Sequence, residues 1–274
     1  MPVTTAKIKE MKQRNQKIAV LTAYDYTTAK IMDAAGIPLI LVGDSLGMVV
    51  LGYDSTLPVR MDDMLHHTKA VARGVTEALV IGDMPFMSYH LNIEQALSNA
   101  ARFIQEAGAR AVKLEGGLTV AKTVKRITDC GIPVMGHIGL TPQSIHQLGG
   151  YKIQGKTRQA ALRLIDDALA LEQAGAFAVV LETVPSALAA LISGKISIPT
   201  IGIGAGTGCD GQVQVVNDLL GSFTDFVPKH TKQYAKLADF MSTAFQKYLE
   251  EVQAGAFPTD DHSFKMDESL LEGL

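Results

Sequence analysis

The stretch Val112-Lys113-Leu114-Glu115-Gly116-Gly117 decides the fold. It completes a short apolar run, Ala111–Leu114, and then stops at an acid and two glycines. A run this short, bounded by Gly, is the pattern of a parallel strand buried on both faces. The same form recurs on either side at Ile18–Thr22, Leu39–Val42, Leu79–Ile81, Val134–Ile138, Phe177–Leu181 and Thr200–Ile203, with Val213–Val216 a weaker eighth. Helical spacing fills the intervals at Thr27–Ala35, Met61–Ala72, Ile93–Glu106, Val120–Thr128, Thr157–Gln173 and Ser186–Ile192. Gly36, Gly108, Gly131 and Gly175 close four of these segments, where a helix C-cap needs a left-handed residue. Tyr234–Glu251 reads as one more amphipathic helix.

Strand and helix therefore alternate about eight times, which means a parallel sheet with right-handed crossovers. The acids choose between a closed barrel and an open doubly wound sheet. They recur at the C-terminal ends of successive strands, in Val42-Gly43-Asp44-Ser45, Ile81-Gly82-Asp83-Met84, Leu114-Glu115 and Leu181-Glu182-Thr183. An open sheet would gather them at one switch point. The expectation is an α/β fold, a (β/α)₈ TIM barrel over residues 1–274 as a single domain, with an extra C-terminal helix. Residues 254–274 read as a polar, acidic tail, and no linker-like stretch divides the chain.

Bulk properties exclude several classes. Hydrophobic residues make up 47% of the 274 positions and charged residues 19%, enough for a sizeable core and unlike a disordered chain. The formal net charge of -3 offers no footprint for nucleic acid. No apolar run reaches the ~18 residues of a membrane span, and the polar start lacks the apolar centre of a signal peptide. Cys130 and Cys209 make no disulfide framework or metal-ligand spacing, and both read as small buried residues in a reducing cytoplasm.

Barrel strand ends converge on one mouth, so Asp44, Asp83, Glu115 and Glu182 could surround one pocket with Lys113. Lys113 lies two residues before Glu115, on the same side of the pleat. Clustered carboxylates must share a cation or a proton. Oxygen ligands with open positions suit Mg²⁺, and no His-rich spacing argues for zinc. Any one of these acids alone could equally be the N-cap of the next helix, but four behind four buried strands make that reading weak. His137, alone beside an apolar run, reads first as a satisfied core histidine. His66 and His67 on a helix read as surface or interface residues. The run Gly202-Ile203-Gly204-Ala205-Gly206-Thr207-Gly208 lacks the end of a phosphate-binding loop and reads as a tight turn or a close approach to a ligand.

Over nearly its whole length the chain resembles the ketopantoate hydroxymethyltransferase family. The resemblance rests on Leu21-Thr22-Ala23-Tyr24-Asp25, Gly43-Asp44-Ser45-Leu46-Gly47, Gly82-Asp83-Met84-Pro85-Phe86, Val112-Lys113-Leu114-Glu115-Gly116, Gly136-His137-Ile138-Gly139-Leu140-Thr141-Pro142-Gln143 and Ile201-Gly202-Ile203-Gly204-Ala205-Gly206. It implies transfer of a hydroxymethyl group from 5,10-methylenetetrahydrofolate to 3-methyl-2-oxobutanoate, through an enolate stabilised by one Mg²⁺ per subunit, giving 2-dehydropantoate. It assigns Mg²⁺ to Asp44, Asp83 and Glu115, partly through water. It places the 2-oxo acid against Asp44, Ser45, Asp83 and Lys113, with His137 beside it, and makes Glu182 the proton acceptor. It further implies a cytoplasmic homo-oligomer, a decamer of two pentamers. The family pattern has an aromatic and a Lys-Arg pair after Pro228-Lys229, where this chain has His230-Thr231-Lys232-Gln233; Asn217-Asp218 stands where His-Asp is the commoner pair. The nearest alternative is a Mg²⁺-dependent enolate barrel of the phosphoenolpyruvate mutase and isocitrate lyase kind. Those enzymes use a loop cysteine as acid, and no cysteine stands in an equivalent loop here.

Overall fold

The computed structural model describes residues 2–273. Its elements in chain order are α1 (Thr5–Gln13), β1 (Ile18–Thr22), α2 (Tyr26–Ala34), β2 (Leu39–Val42), α3 (Leu46–Val49), α4 (Met61–Gly74), β3 (Leu79–Asp83), α5 (Ile93–Gln105), β4 (Ala111–Glu115) and α6 (Ala121–Asp129). There follow β5 (Val134–Gly139), α7 (Ile145–Leu148), α8 (Arg158–Gln173), β6 (Ala178–Glu182), α9 (Ser186–Lys195), β7 (Thr200–Ile203), β8 (Gly211–Gln214), α10 (Val216–Leu220) and α11 (Leu237–Gln253). The strands pair in parallel in the order β1 to β8, and β8 closes on β1. This is the (β/α)₈ barrel expected. Gly36, Gly108, Gly131 and Gly175 all take the left-handed backbone that a helix C-cap requires.

Two apolar layers hold the barrel. Inside it, Ile18, Val20, Leu39, Leu79, Ile81, Met135 and Ile201 pack against one another, and Ile8 of α1 plugs the same cluster at the end where the strands begin. Outside it, the helices cover the strands, and two glycines set the spacing. A Cβ on Gly82 would lie 2.3 Å from Phe103 of α5, and one on Gly136 would lie 2.6 Å from Leu171 of α8. With no side chain there, each helix lies directly on its strand, and the following residue, Asp83 or His137, faces the barrel interior.

The structure corrects the sequence reading in two places and bears out the glycine turn in a third. α1 was read only as polar chain; Thr4 caps it by accepting from the Lys7 backbone N–H. β8 runs Gly211–Gln214, two residues before the expected Val213–Val216, because Gly211 pairs with Ile18 at the start of β1 and Val215 already caps α10. No helix follows β7. The chain returns through 204–210, and Gly206 and Gly208 lie against Ser186 and Ala190 of α9, where Cβ atoms would approach to 2.5 and 2.6 Å. The glycine-rich run is thus a compact return loop packed on a helix.

Candidate active site

Neighbouring strands bring the site residues level with one another. Asp83 of β3 is in register with Lys113 of β4, and Glu115 of β4 with His137 of β5. The Lys113 ammonium donates to both Asp83 oxygens, at 2.8 and 2.7 Å. The Asp44 backbone N–H donates to Asp83 Oδ2 at 3.2 Å, which ties the end of β2 to β3. His137 lies between two carboxylates, with Nδ1 3.4 Å from Glu115 Oε1 and Nε2 3.2 Å from Glu182 Oε2. These are ion-pair approaches, since neither ring nitrogen has an aligned hydrogen-bond partner. Ser45 shares a 2.8 Å hydrogen bond with the Tyr24 hydroxyl. All seven residues expected at the site line one cavity of about 600 Å³ at the barrel mouth.

Gln143, at the end of the Gly136–Gln143 motif, carries no role that its sequence position signals. Its side-chain N–H₂ donates to Asp44 Oδ2 at 2.9 Å and to the Met84 carbonyl at 3.0 Å, and its backbone N–H donates to Glu115 Oε2 at 3.0 Å. Tyr89, also unassigned, donates to Gln143 Oε1 at 2.8 Å and accepts from the Glu115 backbone N–H at 3.1 Å. One residue thus orients two acids carried by strands on either side of β3, Asp44 through its side-chain amide and Glu115 through its backbone N–H. It sits in the turn after β5, where no periodicity shows which way a side chain points.

Charge is unbalanced at the centre. Asp44, Asp83 and Glu115 are buried, Asp83 to 1% exposure, and Glu182 stands at the edge with 16% of its side chain exposed. Against these four acids stand Lys113 and His137. Burial raises Asp83 to about 6 even with the ammonium against it. Burial, reinforced by the Glu115 charge, also holds Asp44 above the usual carboxylate range. Burial pulls Lys113 down, but the Asp83, Glu115 and Asp44 charges outweigh it and leave the ammonium harder to deprotonate than usual. Burial and Lys113 likewise push His137 down; Glu115 and Glu182 on its two edges reverse this and bring it to about 9.

These residues fit a hard divalent cation. The available donors are carboxylate oxygens, they carry excess negative charge, and buried Glu115 Oε1 has no hydrogen-bond partner. Among the described residues no three of His, Cys, Asp and Glu are grouped closely enough to hold a metal unaided. A cation with few protein ligands and several from water and substrate matches Mg²⁺. Lys113 now covers both oxygens of Asp83, so ammonium and metal compete for that carboxylate.

Other expectations fall elsewhere. His66 is exposed, whereas half-buried His67 places Nδ1 2.7 Å from the Tyr24 carbonyl. Cys209 is buried as expected, but Cys130 is exposed, because it caps α6 at the surface. None of Asp44, Asp83, Glu115 and Glu182 caps a helix; Asp25 does, accepting from the Thr28 backbone N–H.

Comparison with known proteins agrees with this geometry. A family model described as Ketopantoate hydroxymethyltransferase matches residues 2–260. A Dehalococcoides mccartyi protein named 3-methyl-2-oxobutanoate hydroxymethyltransferase is 68% identical over 274 residues, covering 100% of this chain and 98% of its own. A protein of the same name from Syntrophus aciditrophicus is 59% identical over 262 residues, with 96% of each chain covered. Among solved structures, 2,3-dimethylmalate lyase, a member of the PEP mutase/isocitrate lyase superfamily, superposes with a TM-score of 0.60 at 14% identity, over 99% of this chain and 94% of that one. That likeness shows the barrel alone. Full-length matches to sequences of one name, on a barrel whose mouth gathers the acids, lysine and histidine of one pattern, establish that the chain belongs to the ketopantoate hydroxymethyltransferase family.

Proposed function

We propose that this enzyme transfers a hydroxymethyl group from 5,10-methylenetetrahydrofolate to 3-methyl-2-oxobutanoate, giving 2-dehydropantoate. Glu182 is the observation that carries the reading: it faces the cavity from β6, across from the Asp83–Lys113 pair, with His137 as its charged neighbour. Asp44, Asp83 and Glu115 would hold Mg²⁺, partly through water, and the ion would supply Lewis-acid polarisation of the 2-oxo group. Ser45, Asp44, Asp83 and Lys113 orient the oxo acid, and the ammonium offsets charge on its carboxylate and on the developing enolate oxygen. Glu182 accepts the proton from C3, and His137 holds that carboxylate in place. The C3 electron pair then forms the bond to the one-carbon unit. Water supplies the hydroxyl oxygen, and tetrahydrofolate leaves.

The functional unit is one barrel over residues 1–274, with 254–274 as a tail outside it. No described helix is long and apolar enough to cross a membrane, and the setting proposed is the cytoplasm. The working form proposed is a homo-oligomer, a decamer of two pentamers. α11 supports association, because none of its 17 residues is buried although Phe240, Phe245 and Tyr248 lie on it.

The decisive assay combines 3-methyl-2-oxobutanoate, methylenetetrahydrofolate and Mg²⁺; absence of 2-dehydropantoate with every divalent metal tried would overturn the assignment. The base has a separate test. Glu182→Gln should slow exchange of the C3 hydrogen with deuterated solvent, measured without folate, by roughly 10²–10⁴-fold. Exchange at the wild-type rate would remove Glu182 from that role.

A further inference from the structure

The mouth of the barrel has two unlike halves. The strand ends from β2 to β6 carry every acid of the site, with Lys113 and His137. The remaining sector, from β7 through β8 to β1, is walled by Ile203, Val213, Val215, Phe223 and Phe226. A five-carbon oxo acid held by the polar half fills only a fraction of a cavity of about 600 Å³. The apolar half adjoins Glu182 on one side and Asp44 on the other, so whatever lies in it borders the reacting carbon.

Lys229 and His230 reach that sector from the segment after α10, and one acid interrupts its apolar wall. Asp218 of α10 is 8% exposed and lines the cavity, and its carboxylate makes no hydrogen bond or ion pair with any described residue. An acid in the first turn of a helix ordinarily serves the free N–H groups there. That service is already given, because Thr22 Oγ1 accepts from the Val216 backbone N–H at 3.0 Å. The same bond anchors α10 to β1 and so fixes where Asp218 stands. A carboxylate kept without donors in an apolar wall is costly unless a ligand brings the donors.

We propose that Asp218 recognises the pterin ring of the one-carbon donor, its carboxylate accepting the ring N3–H and the 2-amino N–H together while the ring lies in the apolar sector. This assignment rests on the transferase reading. Two parallel N–H groups on a flat ring are the bidentate complement of a carboxylate. Apolar walls supply area but no orientation, whereas the fork fixes which ring edge lies at α10 and turns the one-carbon unit towards Glu182.

Calorimetric binding of tetrahydrofolate and of its 2-desamino analogue, to wild type and to Asp218→Asn, tests this, with 3-methyl-2-oxobutanoate affinity measured alongside. The wild type should prefer tetrahydrofolate by roughly 10–100-fold. In Asp218→Asn, tetrahydrofolate affinity should fall by a similar factor and the preference should vanish, with oxo-acid affinity retained. Equal binding of the two pterins by the wild type, which needs no variant to fold, would overturn the Asp218 assignment alone. So would a preference that survives in the variant. A wild type that binds no tetrahydrofolate would overturn the transferase reading and this assignment with it.

Discussion

Lys113 and Asp83 form a buried ion pair at the barrel mouth. Removing the ammonium leaves Asp83 buried and unpaired, so Lys113→Met should lose on the order of 3 kcal/mol of stability in metal-free buffer. On the proposed metal site, Mg²⁺ should restore much of that loss, because it would take the place of the ammonium on the same oxygens. Thermal unfolding with and without Mg²⁺ checks this; equal loss in both buffers would mean that Asp83 holds no metal. Asp218 carries a pH signature of its own. Burial raises it from the ordinary 3.8 to about 6. A carboxyl with a raised folded-state value contributes stability that is present below about pH 4 and is lost as pH rises through about 6. Asp218→Asn, neutral throughout, should therefore be more stable than wild type at pH 8, by on the order of 1–2 kcal/mol, with the gain fading below pH 4. Denaturant titrations at the two pH values measure it, and a pH-independent difference would refute it. At this scale Asp44, Ser45, Asp83, Glu115 and Glu182 were legible because each ends or follows a strand, and Lys113 because it shares a pleat face with Glu115. Gln143, Tyr89 and Asp218 were not assigned, because they reach the site from turns and a short helix whose direction no periodicity encodes.

At the scale of elements, the strands were legible to within one or two residues, because apolar runs closed by Gly or Asp have few other uses in a parallel sheet. The helices were legible through their spacing and their C-terminal glycines. The connection after β7 is the glycine turn its sequence implied, and the tertiary structure adds the reason: α9 lies too close for side chains at Gly206 and Gly208. Helix–strand contact also sets the cost of filling Gly82. An alanine Cβ there would press to within 2.3 Å of Phe103, which is fully buried. Gly82→Ala should destabilise the protein by about 1–3 kcal/mol. It should also weaken Mg²⁺ binding, since Asp83 is the next residue. Unfolding curves and metal titration check both effects, and unchanged values would show that α5 yields without moving β3.

At the scale of the molecule, α11 presents Phe240 and Phe245, 73% and 63% exposed, on a helix with no buried residue. Phe245→Glu should lower the oligomer mass read by sedimentation, and an unchanged mass would place the subunit contact elsewhere. The amino-acid sequence alone determined the fold class, the number and order of the strands, and the four acids at the strand ends of the barrel mouth. Period, strand length and strand-end chemistry are local properties, and each survives in a one-dimensional reading. Only the tertiary structure decided that Lys113 rests on Asp83, that His137 lies between Glu115 and Glu182, that Gln143 joins Asp44 to Glu115, and that Asp218 stands without a hydrogen-bond partner beside Phe223 and Phe226 in the cavity wall. Each of these depends on the folded barrel, which brings together residues far apart in the chain, 99 positions in the Gln143–Asp44 bond and 194 in the Val216–Thr22 bond. Distance, burial and the resulting charge balance exist only once the strands have closed.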